Sequence, residues 1–182
     1  MGIRKKIIKK VCSYLLSKGS FTSQRTDLSE IRKLLKTISP KKLAKDNIRI
    51  GGNNDGGYIV PNDLVGIDYC FSPGVGNLIN FENDLIKKGI KCFLADHSIE
   101  NIKNTRFIDF EKKFVGSTTD ENYITLKDWI SSKIDFKNNN ELILQLDVEG
   151  DEYDILNSLD IHTLKKFRII LIEFHQLHYI FD

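Results

Sequence analysis

From residue 67 onward, short apolar runs alternate with stretches of helical periodicity. The apolar runs are nearly continuous, which is typical of strands buried on both faces of a sheet. They are IDYCFS at 67–72, IKCFLAD at 90–96, a weaker RFIDF at 106–110, ELILQLD at 141–147 and FRIILIEF at 167–174. Helical patterns lie between them, at 77–88, 97–104, 123–133 and 150–159. The alternation predicts an α/β fold with a mostly parallel sheet and flanking helices in three layers.

The N-terminal part of the chain has a different pattern. Isoleucine, leucine and valine recur at helical spacing over residues 3–18 with lysines between them, which predicts a basic amphipathic helix. Such a helix is suited to an anionic membrane surface, although packing on its own protein is the alternative. A second helix is predicted to begin at Asp27, with Glu30 as its capping-box partner, and to end before Pro40.

A hairpin is predicted next, because two β-prone runs flank the segment NNDGG at 53–57 and these residues tolerate positive φ. We therefore predict two parts: a helical, basic N-terminal extension over residues 1–47, and a ligand-binding domain over residues 48–182.

Charge is distributed unevenly in this chain of net charge +2. Residues 1–50 contain 14 Lys and Arg against 3 Asp and Glu, whereas residues 51–182 contain 13 against 22. An acidic body argues against a nucleic-acid groove, because phosphate contacts need clustered basic residues. We therefore expect no nucleic-acid partner.

The three cysteines, Cys12, Cys70 and Cys92, show neither CxxC spacing nor a zinc-site pattern. Two of them fall within apolar runs, as expected of buried reduced thiols. No secretory signal or apolar run of spanning length is visible. These observations predict a cytoplasmic protein.

The turn after the first apolar run of the sheet is the strongest indication of a ligand. Gly74 and Gly76 remove side chains where the backbone turns sharply, and Asp96 ends the next strand. A dinucleotide fingerprint would place a third glycine at residue 79, which is Ile79. The shorter GxG turn followed by an acid suits a nucleoside without a diphosphate, of which S-adenosylmethionine is the common example. The alternative interpretation is a tight structural turn that binds no ligand.

At this point the sequence resembles a known family. The segments RIGGNNDGGYIVP, SPGVGNLINFE, LQLDVEGDEYDIL and ILIEFH, from Arg49 to His175, together resemble the FkbM-type S-adenosylmethionine-dependent methyltransferases. The resemblance implies a class I methyltransferase fold and O-methylation of a hydroxyl on a saccharide or another small molecule.

The resemblance also implies which residues bind the cofactor. It places Ser72, Gly74 and Gly76 at the methionine part and Asp96 at the ribose. It places the segment from Asp55 through Gly57 to Tyr58 over the entrance for cofactor or acceptor. His97, which follows Asp96, is a further candidate for the edge of the adenosine.

Methyl transfer requires an aligned acceptor oxygen and a group that removes or polarises its proton. Asp147 and Glu149 lie where the fourth strand ends, and Glu173 and His175 lie where the fifth ends. We interpret His175 as a general base and Asp147, with Glu149, as the group that orients it or the acceptor. Helix-capping or structural roles are the alternatives for all of these side chains. We assign no metal ligands, although the same acids and histidine would also suit a divalent cation.

The family's sheet continues beyond the fifth strand, whereas this sequence stops at Asp182. We therefore expect a domain without its C-terminal strands and an apolar sheet edge that either another chain, such as a second copy in a homo-oligomer, or missing residues would cover. Two other functions stay open: an NAD(P)-dependent oxidoreductase, and a non-catalytic nucleoside-binding or scaffold protein.

Overall fold

The computed structural model describes residues 3–18, 26–135 and 137–177. Contacts between Cα atoms divide the chain into two units. Residues 1–41 and 176–182 form one unit, and residues 42–175 form the other. The predicted domain boundary between residues 47 and 48 stays a prediction.

The first unit contains helices α1 (Ile3–Ser17) and α2 (Leu28–Thr37). Asp27 caps α2, because its carboxylate accepts a hydrogen bond from the Ser29 amide at 2.7 Å. The predicted capping box does not form. The Glu30 carboxylate instead accepts a hydrogen bond from the Lys33 ammonium at 2.8 Å.

The second unit contains a hairpin, a five-stranded sheet, a small two-stranded sheet and four helices among its described residues. Its strands are β1 (Asn47–Ile50), β2 (Tyr58–Pro61), β3 (Tyr69–Pro73), β4 (Lys91–Ala95), β5 (Ile108–Glu111), β6 (Phe114–Gly116), β7 (Tyr123–Thr125), β8 (Leu142–Leu146) and β9 (Phe167–Ile172). Its helices are α3 (Asn80–Lys87), α4 (Leu126–Lys133), α5 (Glu152–Ser158) and α6 (Ile161–Leu164).

The five predicted strands form one parallel sheet in the order β5-β4-β3-β8-β9. The central strand β3 pairs with β4 on one side and with β8 on the other, so the carboxyl ends of these three strands are adjacent. The fold is therefore mixed α/β and compatible with a Rossmann-like methyltransferase, as the sequence predicts.

Two apolar clusters pack on opposite sides of this sheet, as the alternating side chains of β3 require. One cluster contains Cys70 together with Phe81 and Leu85 of α3. The other contains Phe71 together with Trp129 of α4. Every residue of β8 is buried, which is the physical reason that its sequence is apolar except at Gln145.

The predicted hairpin is confirmed, since β1 and β2 pair antiparallel from Asn47 opposite Pro61 to Ile50 opposite Tyr58. Strand β9 lies at one edge of the main sheet, and among the described residues no strand pairs with its outer side. Pairing of a second copy along that edge stays a prediction.

One predicted helix is wrong: residues 97–104 form bends and irregular structure. Polar side chains compete for the backbone there, because Asp96 accepts the amide of Ser98 and Asn104 accepts the amide of Phe110, both at 2.7 Å. The pair β6 and β7 was not predicted, because three-residue strands are too short to show periodicity. Within the described part of the chain, no helix is long and apolar enough to cross a membrane.

Candidate functional site

The candidate site is built from the loops that follow the carboxyl ends of β3, β4, β8 and β9. Because β3 lies between β4 and β8, the glycine turn at 74–76 is flanked by Asp96 on one side and Asp147 on the other. This is the end of a parallel sheet where ligands bind in open α/β folds.

The glycine turn depends on residues without side chains. Gly74 has φ 80°, and a Cβ built on it would lie 1.6 Å from the carbonyl oxygen of Asp147. Its amide donates to the Ala95 carbonyl at 2.9 Å, while the Asp147 amide donates to the Pro73 carbonyl at 3.3 Å. Main chain therefore packs directly on main chain, which leaves the surface of the turn bare for a ligand.

Asp96 is tied to the same turn. Its Oδ2 accepts a hydrogen bond from the Gly76 amide at 2.9 Å, and its Oδ1 accepts from the amide and hydroxyl of Ser98 at 2.7 and 2.6 Å. Only 6% of the residue is exposed. The carboxylate is thus held in one orientation beside the glycine turn.

Two adjoining cavities open at this turn, and both are lined by Gly74, Gly76, Asp147 and Glu149. The first, of about 310 Å³, is here called the apolar cavity, because Val115 and Val148 and the rings of Phe114 and Tyr123 line it. Asp96 lies in its wall together with Ala95, Ser98 and Asp151.

The second cavity, of about 170 Å³, is here called the acidic cavity. Four acids line it, and its described lining contains no lysine, arginine or histidine. The lining residues beyond the shared four are Asp55, Gly56, Tyr58, Val75, Asn77, Leu78, Phe81, Glu82 and Gln145.

Most of the predicted cofactor residues lie in these walls. Asp55 and Tyr58 line the acidic cavity, Asp96 lines the apolar cavity, and the two glycines line both. Their contacts with a cofactor stay predictions.

Three of the predicted cofactor residues line neither cavity. Ser72 is fully buried beneath the acidic cavity, where its hydroxyl contacts Glu82 and Gln145. Gly57 allows close packing of the backbone, since a Cβ there would lie 2.3 Å from the carbonyl oxygen of Gly52. The His97 ring packs on Phe114, with 4.9 Å between ring centroids.

The three predicted catalytic side chains converge. One ligand atom each of Asp147, Glu149 and His175 lies within 4.8 Å of the others. The His175 Nε2 is 3.3 Å from Glu149 Oε2 and 3.8 Å from Asp147 Oδ1. All three residues lie beyond the ends of β8 and β9, so loops bring them together rather than one face of a strand. The spacing would also suit a divalent cation, which leaves that alternative open.

A third acid, Glu152, orients the histidine from α5. Its Oε1 lies 2.8 Å from His175 Nδ1 and accepts the Gly150 amide at 3.0 Å. The hydrogen bond to Glu152 raises the pKa of His175. Because carboxylates face both ring nitrogens, protonated His175 is stabilised from two sides.

Burial, with repulsion from Glu173 as the second cause, raises the pKa of Asp147 to about 6. The Tyr58 hydroxyl lies 3.5 Å from Asp147 Oδ2 and accepts a hydrogen bond from Gln145 Nε2 at 2.9 Å. Burial also raises the pKa of Tyr58 to about 12. The tyrosine is therefore a neutral donor toward Asp147 near neutral pH.

Sequence reasoning missed Glu82, Gln145 and Glu152, although each is almost fully buried. Signals for two of them were present. Gln145 interrupts an apolar strand, and Glu82 lies beside Phe81 on the buried side of α3. Polar residues in such places require a buried partner or a ligand.

The sequence was compared with protein-family models, with curated proteins and with solved structures, and only the first comparison found a match. The family model for the methyltransferase FkbM domain matches residues 39–182, which is most of the chain. No curated protein and no solved structure matches the chain significantly. The match spans the hairpin, the whole parallel sheet and every residue of both cavities. The chain therefore belongs to the FkbM methyltransferase domain family.

Proposed function

We propose that this protein is an S-adenosylmethionine-dependent methyltransferase that methylates a hydroxyl of a saccharide or another small molecule. Membership of the FkbM family supports methyl transfer. The cofactor, the acceptor and the oxygen target are parts of the proposal.

One observation carries the choice of cofactor: the acidic cavity contains Asp55, Glu82, Asp147 and Glu149 and no basic side chain in its described lining. S-adenosylmethionine carries a sulfonium and an ammonium group, both of which such a cavity attracts. A dinucleotide carries a pyrophosphate, which the ionised carboxylates of this cavity would repel. The charge of the cavity therefore favours the sulfonium cofactor over NAD(P).

In this proposal each cavity binds a different part of the cofactor. The rings and valines of the apolar cavity suit an adenine base, and Asp96 in its wall suits the ribose hydroxyls. The methionine part would then pass over the bare turn at Gly74 and Gly76 into the acidic cavity. This orientation brings the methyl group toward Asp147, where the two cavities meet.

In this proposal His175 accepts the proton of the acceptor hydroxyl, while Asp147 and Glu149 hold His175 and the acceptor in line with the methyl group. Glu152 fixes the ring through Nδ1, which leaves Nε2 facing Glu149 and Asp147, two residues that line both cavities, whereas His175 itself is in the lining of neither. The sulfonium cofactor supplies the methyl group when it is bound.

Calorimetric titration with S-adenosylhomocysteine tests the proposal. We expect saturable binding to the purified chain and a loss of affinity in Asp96→Ala. Absence of binding at millimolar ligand would contradict it, and quenching or enhancement of NADH fluorescence on titration would favour an oxidoreductase.

Three free cysteines, two of them buried, support the further proposal of a cytoplasmic location.

A further inference from the structure

Glu82 has no role in the reaction described so far, yet it is the most deeply buried acid in the walls of the acidic cavity. It belongs to the first turn of α3 and is 3% exposed. Its Oε1 is hydrogen-bonded to the Ser72 hydroxyl, whereas its Oε2 is buried without a hydrogen-bond partner in the described structure. A buried carboxyl oxygen without a partner is costly, so the arrangement is incomplete without a ligand.

The hydrogen bonds around Ser72 indicate the protonation state of Glu82 in the empty cavity. Ser72 Oγ lies within hydrogen-bond distance of Glu82 Oε1, and it lies 2.5 Å from Gln145 Oε1. A hydroxyl has one proton and satisfies only one of these acceptors. With the Gln145 amide oxygen assigned to the Ser72 side, a protonated Glu82 supplies the second proton, and burial raises the pKa of this carboxyl in the same direction.

The other acids of the acidic cavity have partners of their own. Asp55 accepts the Gly56 amide at 2.9 Å, and both Asp147 and Glu149 face His175. Asp147 Oδ1 is also buried without a hydrogen-bond partner, but it lies 3.8 Å from His175 Nε2, whereas no ion pair is described for Glu82. Glu82 Oε2 is therefore the unpartnered carboxyl oxygen of this cavity that no basic side chain of the described structure compensates.

We propose that Glu82 receives the ammonium group of the ligand's amino-acid part, an inference that rests on the proposed function. On binding, the carboxyl of Glu82 releases its proton to solvent, and the resulting carboxylate pairs with the ammonium. The O–H bond of the carboxyl is the only covalent bond that breaks: its electron pair stays on the carboxylate and its proton goes to water. In the bound state the Ser72 hydroxyl donates to Glu82 Oε1, and the Gln145 amide turns over so that its nitrogen donates to the Ser72 oxygen. These two buried residues thus position the carboxylate and contribute indirectly to ligand recognition.

Two ligands separate this role from a structural one. S-adenosylhomocysteine carries the amino-acid part, whereas 5′-methylthioadenosine keeps the adenosine and the sulfur but lacks that part. We expect Glu82→Gln to weaken binding of the first by about tenfold or more, because a charge-assisted hydrogen bond is lost. Binding of the second should change by less than about threefold.

Asp68→Asn is the matched control. It makes the same change from acid to amide at an exposed position before β3, at the opposite end of the sheet. Both ligands should bind this variant as they bind the wild type.

Proton release provides a second measurement that a structural role would not affect. Calorimetry of the wild type in two buffers of different ionisation enthalpy should show release of part of a proton with S-adenosylhomocysteine, increasing as the pH falls from 7.5 to 6. The release should be smaller with 5′-methylthioadenosine and in Glu82→Gln. If the variant does not fold, the contrast between the two ligands is measured on the wild type and on Asp147→Asn, which removes the other acid of raised pKa in this cavity. A contrast that persists in Asp147→Asn supports the role of Glu82, and one that disappears overturns it.

The outcomes distinguish the two proposals. If the wild type binds neither nucleoside, the proposed function fails and this inference fails with it. If the wild type binds S-adenosylhomocysteine but Glu82→Gln weakens both ligands equally, or neither, only the role of Glu82 is overturned. The same conclusion follows if both ligands release the same number of protons.

Discussion

The main chain of Gly74 packs against the main chain of Asp147 so closely that a Cβ on Gly74 would lie 1.6 Å from the Asp147 carbonyl oxygen. This contact joins the loop after β3, which is proposed to bind the cofactor, to the loop after β8, which contains the proposed catalytic acids. It exists because β3 and β8 are neighbours in the sheet although they are far apart in sequence.

The first prediction concerns this contact. Gly74→Ala should destabilise the fold by roughly 3 kcal/mol or more, because positive φ and a backbone clash act together. It should also abolish binding of S-adenosylhomocysteine. Gly76→Ala is the matched control: φ is 51° and nothing lies within 4 Å of the added Cβ, so we expect a loss of about 1–2 kcal/mol. Thermal unfolding measures the loss of stability in both variants, and calorimetry measures binding to Gly74→Ala. Equal losses of stability in the two variants would contradict the argument.

The second prediction concerns Asp96. Asp96→Asn should lower the affinity for S-adenosylhomocysteine by about tenfold or more, because the acceptor for ribose hydroxyls becomes in part a donor and the contact with the Gly76 amide is disturbed. Ser98→Ala removes only one hydrogen bond to the same carboxylate and should cost far less affinity. Calorimetry on both variants checks the difference, and an unchanged affinity in Asp96→Asn would remove this acid from the cofactor site.

The third prediction is a dependence of stability on pH. Burial raises the pKa of Asp147 to about 6, above its value in the unfolded chain, so ionisation of this group lowers stability as the pH rises from about 4 to about 6. Asp147→Asn should therefore raise the free energy of unfolding by about 1–2 kcal/mol at pH 7.5 and by little at pH 4. Urea unfolding at the two pH values measures this. A variant equally stabilised at both would show that the charge of Asp147 is not the cause.

The fourth prediction separates catalysis from binding at His175. His175→Ala should reduce methyl transfer by about 10²- to 10⁴-fold while changing the affinity for S-adenosylhomocysteine by less than about threefold. Because Glu152 raises the pKa of His175 and a general base must be neutral, wild-type turnover should increase with pH through that raised pKa. Turnover of a hydroxyl acceptor found by screening, measured across pH, checks both statements. Equal losses of turnover and affinity would show that His175 has a structural role and is not the general base.

The fifth prediction concerns helix α1, whose apolar residues Ile7, Ile8 and Val11 are exposed. We expect the protein to sediment with anionic vesicles and not with neutral ones, and deletion of residues 1–20 to abolish sedimentation. Replacement of Lys5, Lys6, Lys9 and Lys10 by glutamine should weaken it while leaving the apolar positions intact. Sedimentation that persists after the deletion would exclude this helix as the cause.

Much of the α/β architecture was predictable because strands that are buried on both faces of a sheet have nearly continuous apolar sequences. The five strands were recognised from runs such as ELILQLD, and α3 from its apolar stripe and the glycine that follows it. The region after Asp96 was misjudged because its apolar spacing resembles a helix, while the hydrogen bonds of Asp96 and Asn104 to nearby amides favour irregular structure. Such competition depends on geometry that periodicity does not contain.

The sequence by itself determined the parallel strands, the glycine turn and the acids at the strand ends, because each depends on local backbone requirements and on the period of burial. Only the tertiary structure decided the order of the strands, and with it the contact of Gly74 with Asp147 and the convergence of His175 with two acids. It also decided that Glu82 faces Ser72 and Gln145, since those side chains come from three separate elements. Residues distant in the chain become a site only when the sheet places their loops side by side.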